Sequence, residues 1–110
     1  MDENINITEK QRYVANFDQK IYNQFKKIAK ENNESLNWFL NLKIEELKDR
    51  IKLKKYEENN NYKGKMIYLT EENHQFAKNM LYIYGIKIRN YIQSVMEATI
   101  IEENKEQPQN

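Results

Sequence analysis

The chain contains no cysteine. Disulfides and thiolate metal sites are therefore excluded. His74 is its one histidine, with no second imidazole to join it, so no zinc site is expected and neither metal nor other cofactor is assigned. No apolar run approaches the roughly 20 residues that a membrane-spanning helix needs, and no signal-peptide pattern opens the chain. The expectation is a soluble, cytoplasmic protein with no membrane partner. An excess of charge of one sign is also lacking, the formal net charge being only +1. Attraction to a polyanion would then depend on where the charge lies, and Lys20, Lys26, Lys27 and Lys30 gather in one segment while the acidic tail offsets them elsewhere. Breaks are scarce, with two glycines, Gly64 and Gly85, and one proline, Pro108.

What is present is a short chain of 110 residues, 39% hydrophobic and 32% charged. That suits one small domain, or two very small units sharing a core, since a unit below about 60 residues buries little surface alone. From Arg12 to Phe17 the side chains alternate, Tyr13, Ala15 and Phe17 on one face and Arg12, Val14 and Asn16 on the other, as in a short strand with one face to bury. Ile21, Phe25, Ile28 and Ala29 then recur at helical spacing until Asn32 and Asn33, where asparagine tolerates the left-handed conformation that ends a helix. Ser35 can cap a second helix, whose apolar stripe is Leu36, Leu40, Ile44, Leu47 and Ile51 and which the pattern carries to about Tyr56. The reading is strand, helix, helix, and a lone strand needs a partner to satisfy its backbone.

The same pattern returns after a connector. Displacing the chain by 52 positions puts Phe17 on Leu69, Phe25 on Ala77, Ala29 on Leu81, Leu36 on Ile88, Leu40 on Ile92 and Ile44 on Met96. The expected organisation is a flexible arm over 1–11, a first unit over 12–57, a linker over 58–64, a second unit over 65–103 and a polar tail over 104–110. In the second unit Lys65 to Leu69 forms the strand, with Ile67 and Leu69 inward and Met66 and Tyr68 outward. Thr70 caps the next helix, Gly85 ends it, and a last helix runs from about Lys87 to Glu102 before Pro108 forbids its continuation.

With Arg12, Val14 and Asn16 on the strand, Phe17 closing it, and the turn from Ala29 through Ser35 to Asn37, the first unit resembles the ribbon-helix-helix (Arc/MetJ-like) superfamily of DNA-binding proteins. The resemblance implies a mainly α fold with a short β-ribbon, β-α-α-β-α-α, here as two tandem copies that form either an intramolecular pseudo-dimer or a homodimer. It also implies a two-stranded ribbon in the major groove of double-stranded DNA, with Arg12, Val14, Asn16, Met66 and Tyr68 as base readers. Arginine can pair with guanine, asparagine with adenine, and valine can pack on a thymine methyl. Met66 and Tyr68 depart from the polar residues usual in the family, so the second half either reads apolar features or keeps the fold without reading. Phosphates would be held at helix starts, by Ser35, Leu36 and Asn37 in the first copy and by Lys87 in the second.

Tandem chains of this kind are known among regulators of plasmid conjugation. The expected function is a sequence-specific transcriptional repressor or regulator of a plasmid or other mobile element, with a relaxosome accessory or partition-site protein as the alternative. Self-association is possible in either arrangement. A different class, a helical protein-interaction module that binds no DNA, stays open beside it, favoured by the near-neutral charge and the apolar Met66 and Tyr68. No enzyme and no small-molecule ligand are expected. The carboxylate pairs Glu45/Glu46 and Glu102/Glu103 read as solvated helix faces, and two small helical units offer little pocket for catalysis.

Overall fold

Alternation at Tyr13, Ala15 and Phe17 is met by alternation at Ile67 and Leu69, and the two segments find each other within one chain. The computed structural model describes residues 10–106. Its elements are β1 (Lys10–Asp18), α1 (Gln19–Glu31), α2 (Leu36–Leu47), β2 (Tyr62–Thr70), α3 (Glu71–Tyr84) and α4 (Ile88–Glu106). The fold is α+β and mostly helical, with β1 and β2 paired as a two-stranded antiparallel sheet. Val14 faces Met66 at its centre, flanked by Arg12 opposite Tyr68 and Asn16 opposite Gly64. On the inner face Phe17, Ile67 and Leu69 are fully buried against the helices.

Three helix starts and two helix ends lie where local chemistry favours them. The Asp18 carboxylate accepts the Ile21 amide at 3.0 Å, the Ser35 hydroxyl accepts that of Trp38 at 3.2 Å, and the Thr70 hydroxyl accepts that of Asn73 at 3.1 Å. Such caps satisfy amides that have no partner inside the helix. Helix α1 stops through Asn33, at φ 60°, and α3 through Gly85, at φ 69°, both in the left-handed region. These two breaks lie 52 positions apart, as do the caps Asp18 and Thr70 and the facing pair Val14 and Met66. Helix α4 packs on α1, α2 and α3 and contributes Tyr91, Ile92, Val95 and Met96 to the core, all fully buried.

Several bounds differ from those expected. Helix α2 ends at Leu47, not near Tyr56, because Lys48 turns to φ 52° and its carbonyl accepts the Tyr91 hydroxyl at 2.7 Å. Ile51 and Leu53 still pack against the core, but from an irregular segment. That segment is fastened along α4, the Lys54 amide donating to the Ser94 hydroxyl at 3.0 Å and the Tyr56 hydroxyl to Glu97 at 2.7 Å. Strand β2 begins at Tyr62, inside the expected linker, since Tyr62 is buried and its hydroxyl accepts the Gln93 amide at 2.9 Å. Lys10 and Gln11, expected in the arm, belong to β1, and α4 runs on to Glu106. The rest of the expected arm, 1–9, and of the tail, 107–110 with Pro108, lies outside the described residues.

Candidate nucleic-acid interface

The outer face of the ribbon collects side chains that are far apart in sequence. Because residues two apart on a strand share a face, Arg12, Val14 and Asn16 of β1 lie opposite Tyr68, Met66 and Gly64 of β2 in three successive cross-strand pairs. Val14 is 64% exposed and Met66 49%, so among the described residues no helix covers this face. Arg12 and Asn16 are exposed, and Tyr68 is partly buried with its hydroxyl 4.0 Å from the Met66 sulfur. All five expected readers therefore meet on one surface. Gly64 has a part in this: a Cβ added there would come within 3.3 Å of the Asn16 side-chain oxygen, so glycine leaves room for that amide.

Backbone ties hold the ribbon to the helices beneath it. The Asn37 side-chain oxygen accepts the Tyr68 amide at 3.1 Å, which fastens the start of α2 to β2. Asn41, fully buried, spans the next residues: its amide donates to the Tyr68 carbonyl at 3.0 Å, and its oxygen accepts the Thr70 amide at 2.9 Å. Fifty-two positions on, the Gln93 oxygen accepts the Asp18 amide at 2.9 Å. Each strand end is thus gripped by a helix from the other half of the chain. These buried amides fix the placement of the ribbon, and sequence reading passed over them. The available signal was a polar side chain beside apolar stripe positions, Asn41 after Leu40 and Gln93 after Ile92.

At the helix starts the expected phosphate binders have unequal surroundings. Ser35 is exposed with its hydroxyl engaged as the cap, Leu36 packs against the core, and Asn37 is committed to Tyr68. Lys87 is exposed, and its carbonyl accepts the Tyr91 amide at 2.9 Å. Beside it stands Arg89, a cation that the sequence did not single out. Its guanidinium donates to the Asn16 carbonyl at 3.2 Å and to Glu58 at 2.8 Å, and lies 5.5 Å from the Tyr62 ring centroid. Glu58 also accepts the Asn16 side-chain amide at 3.1 Å. Hydrogen bonds from Asn16 and then Arg89, with the charges of Arg89 and Lys87, hold the Glu58 carboxyl below the usual glutamate value. These groups line a cleft of about 460 Å³ along one edge of the ribbon.

Elsewhere the chemistry is sparse. His74 is partly buried, and burial followed by the Lys78 charge lowers its pKa. Among the described residues no three metal-ligating side chains converge. No helix among them is long and apolar enough to cross a membrane. Comparison with protein-family models, curated proteins and solved structures gives no match.

Proposed function

We propose that the protein is a tandem ribbon-helix-helix protein in which one chain supplies both strands of the ribbon as an intramolecular pseudo-dimer. In this reading it binds double-stranded DNA sequence-specifically and acts as a transcriptional repressor or regulator. One observation carries it: β1 and β2 pair in a register that sets Arg12, Val14, Asn16, Met66 and Tyr68 together on a face that none of the described helices covers. A two-stranded ribbon fits the width of the major groove, where each base pair presents its own pattern of donors, acceptors and methyl groups. Arg12 supplies a forked donor for guanine, while Val14 and Met66 form an apolar centre suited to thymine methyls. In this reading the start of α2, tied to Tyr68 through Asn37, offers its first-turn amides to a phosphate.

Regulation of an operon on a plasmid or other mobile element and service at an origin of transfer or partition site share this chemistry and differ in the DNA they bind. Selection from random duplexes followed by footprinting tests the reading, with a recovered consensus as the expected result. Arg12→Ala is expected to weaken binding to that consensus by about 1 to 3 kcal/mol, the value of a good base contact. Absence of any consensus, together with unchanged binding by the Arg12 variant, would overturn it. The second reading, a protein-interaction module, draws on the end of α3, where Leu81, Tyr82, Ile83 and Tyr84 are all exposed. It predicts no duplex binding even at low salt.

A further inference from the structure

We propose that Glu58 is a built-in competitor of nucleic-acid phosphate, its carboxylate filling an anion site made by the Asn16 amide, the Arg89 guanidinium and Lys87, from which DNA must displace it. The proposal rests on the DNA-binding reading and adds a control on the same surface.

The two oxygens of Glu58 are held by different donors, one by Asn16 Nδ2 at 3.1 Å and the other by Arg89 Nη1 at 2.8 Å. A phosphate offers two oxygens of the same kind to the same forked arrangement. The cationic side of the pair is rigid. Arg89 is only 12% exposed and is anchored by the Asn16 carbonyl at 3.2 Å, the Asn90 side chain at 3.0 Å, the Tyr56 carbonyl at 3.5 Å and the Tyr62 ring. The anionic side is loose, since Glu58 is 49% exposed and sits in the irregular segment between α2 and β2. When such a pair opens, the carboxylate leaves and the preorganised cation stays. Hydrogen bonding from Asn16 and Arg89 keeps Glu58 ionised, so it remains a charged rival down to acidic pH.

Position explains what the rivalry would do. Asn16 is one of the outward ribbon residues, and while it is bonded to Glu58 its amide is not free to read adenine. A carboxylate at the ribbon edge also repels an approaching phosphate backbone. Displacement releases Asn16 and frees the Arg89 guanidinium, beside the already exposed Lys87, in one step. Among the described residues only one half of the molecule carries this arrangement. The positions 52 residues from Lys87, Arg89 and Asn16 are Ser35, Asn37 and Tyr68, which include no cation and no carboxylate. Among the described residues the guard therefore stands at one end of the ribbon, the Asn16 end.

The test compares the full chain with Glu58→Gln, and with Glu58→Ala because glutamine can still bond Arg89. One arm titrates a mixed-sequence DNA duplex over a range of salt. The other titrates inorganic phosphate while NMR follows the Asn16 side-chain amide and the Arg89 Nε–H. Both variants are expected to bind the duplex on the order of tenfold tighter than the parent, with the slope of log K against log salt steeper by about one. Phosphate is expected to shift both resonances in the variants at concentrations that leave the parent unmoved. Duplex binding that neither variant changes in affinity or salt slope would overturn the competitor and keep the DNA reading. A phosphate response with no duplex binding by any of the three proteins would overturn the DNA reading and the competition with it, leaving only an anion site.

Discussion

Asn41 is fully buried, yet its amide is bonded at both ends to the backbone of β2 and also takes a 2.8 Å bond from Asn73. A buried polar group of this kind stabilises only while its partners are present. Replacing it leaves the part-buried Tyr68 carbonyl and Thr70 amide without these partners. Asn41→Ala is expected to lower unfolding stability by about 3 kcal/mol, read by urea titration, with a loss well beyond that of an exposed asparagine. Glu97 illustrates a polar group at the margin. Burial works against its charged form, but hydrogen bonds from Lys54 and Tyr56 and the charges of Lys54 and Lys52 outweigh this and lower its pKa. A depressed carboxyl contributes stability that is complete above the unfolded value and lost as pH falls through the folded one. The parent is thus expected to lose stability below about pH 4.5, through this window, while Glu97→Gln flattens that part of the profile in urea titrations repeated across pH.

Helix ends show local chemistry and long-range contact in competition. Gly85 closes α3 at φ 69°, a conformation that costs a residue with a Cβ about 1 to 2 kcal/mol. No atom stands within 4 Å of where that Cβ would be, so the loss is conformational alone. Gly85→Ala is expected to reduce stability by about 1 kcal/mol in thermal or urea unfolding, with the fold retained. Asn33 makes the matching turn at φ 60°, and both ends were legible because glycine and asparagine are the residues that tolerate it. The end of α2 was not legible. Leu47 and Ile51 keep helical spacing, but the Tyr91 hydroxyl holds the Lys48 carbonyl and the Ser94 hydroxyl holds the Lys54 amide, contacts with residues some 40 positions away. Local periodicity contains no record of them. Tyr62 was missed for the same reason, its place in β2 being settled by register with Asp18 and by Gln93.

At the scale of the whole molecule, the described residues form one compact body with a Cα radius of gyration of 13.6 Å. Its two halves exchange supports: β1 is completed by β2, Asp18 is held by Gln93, Thr70 by Asn41, and α4 packs on α1 and α2 of the other half. Neither half can bury Phe17 or Phe25 or pair its strand without the other. A fragment of residues 10–57 is expected to be unfolded by circular dichroism, with secondary structure appearing on addition of residues 58–106. Helical structure in the isolated fragment comparable to the whole chain would contradict this interdependence.

Side-chain order alone determined the succession strand, helix, helix twice over, the caps at Ser35 and Thr70, the breaks at Asn33 and Gly85, and the inward set Phe17, Ile67 and Leu69. Those features depend on periodicity and backbone preference, which act over a few residues and are written locally. Pairing of the two strands within one chain, the early end of α2, the amide clamps of Asn41 and Gln93, and the meeting of Glu58 with Arg89 and Asn16 were decided only by the tertiary structure. Each joins residues tens of positions apart, and which distant partner a donor or carboxylate finds is set by how the helices pack around the ribbon.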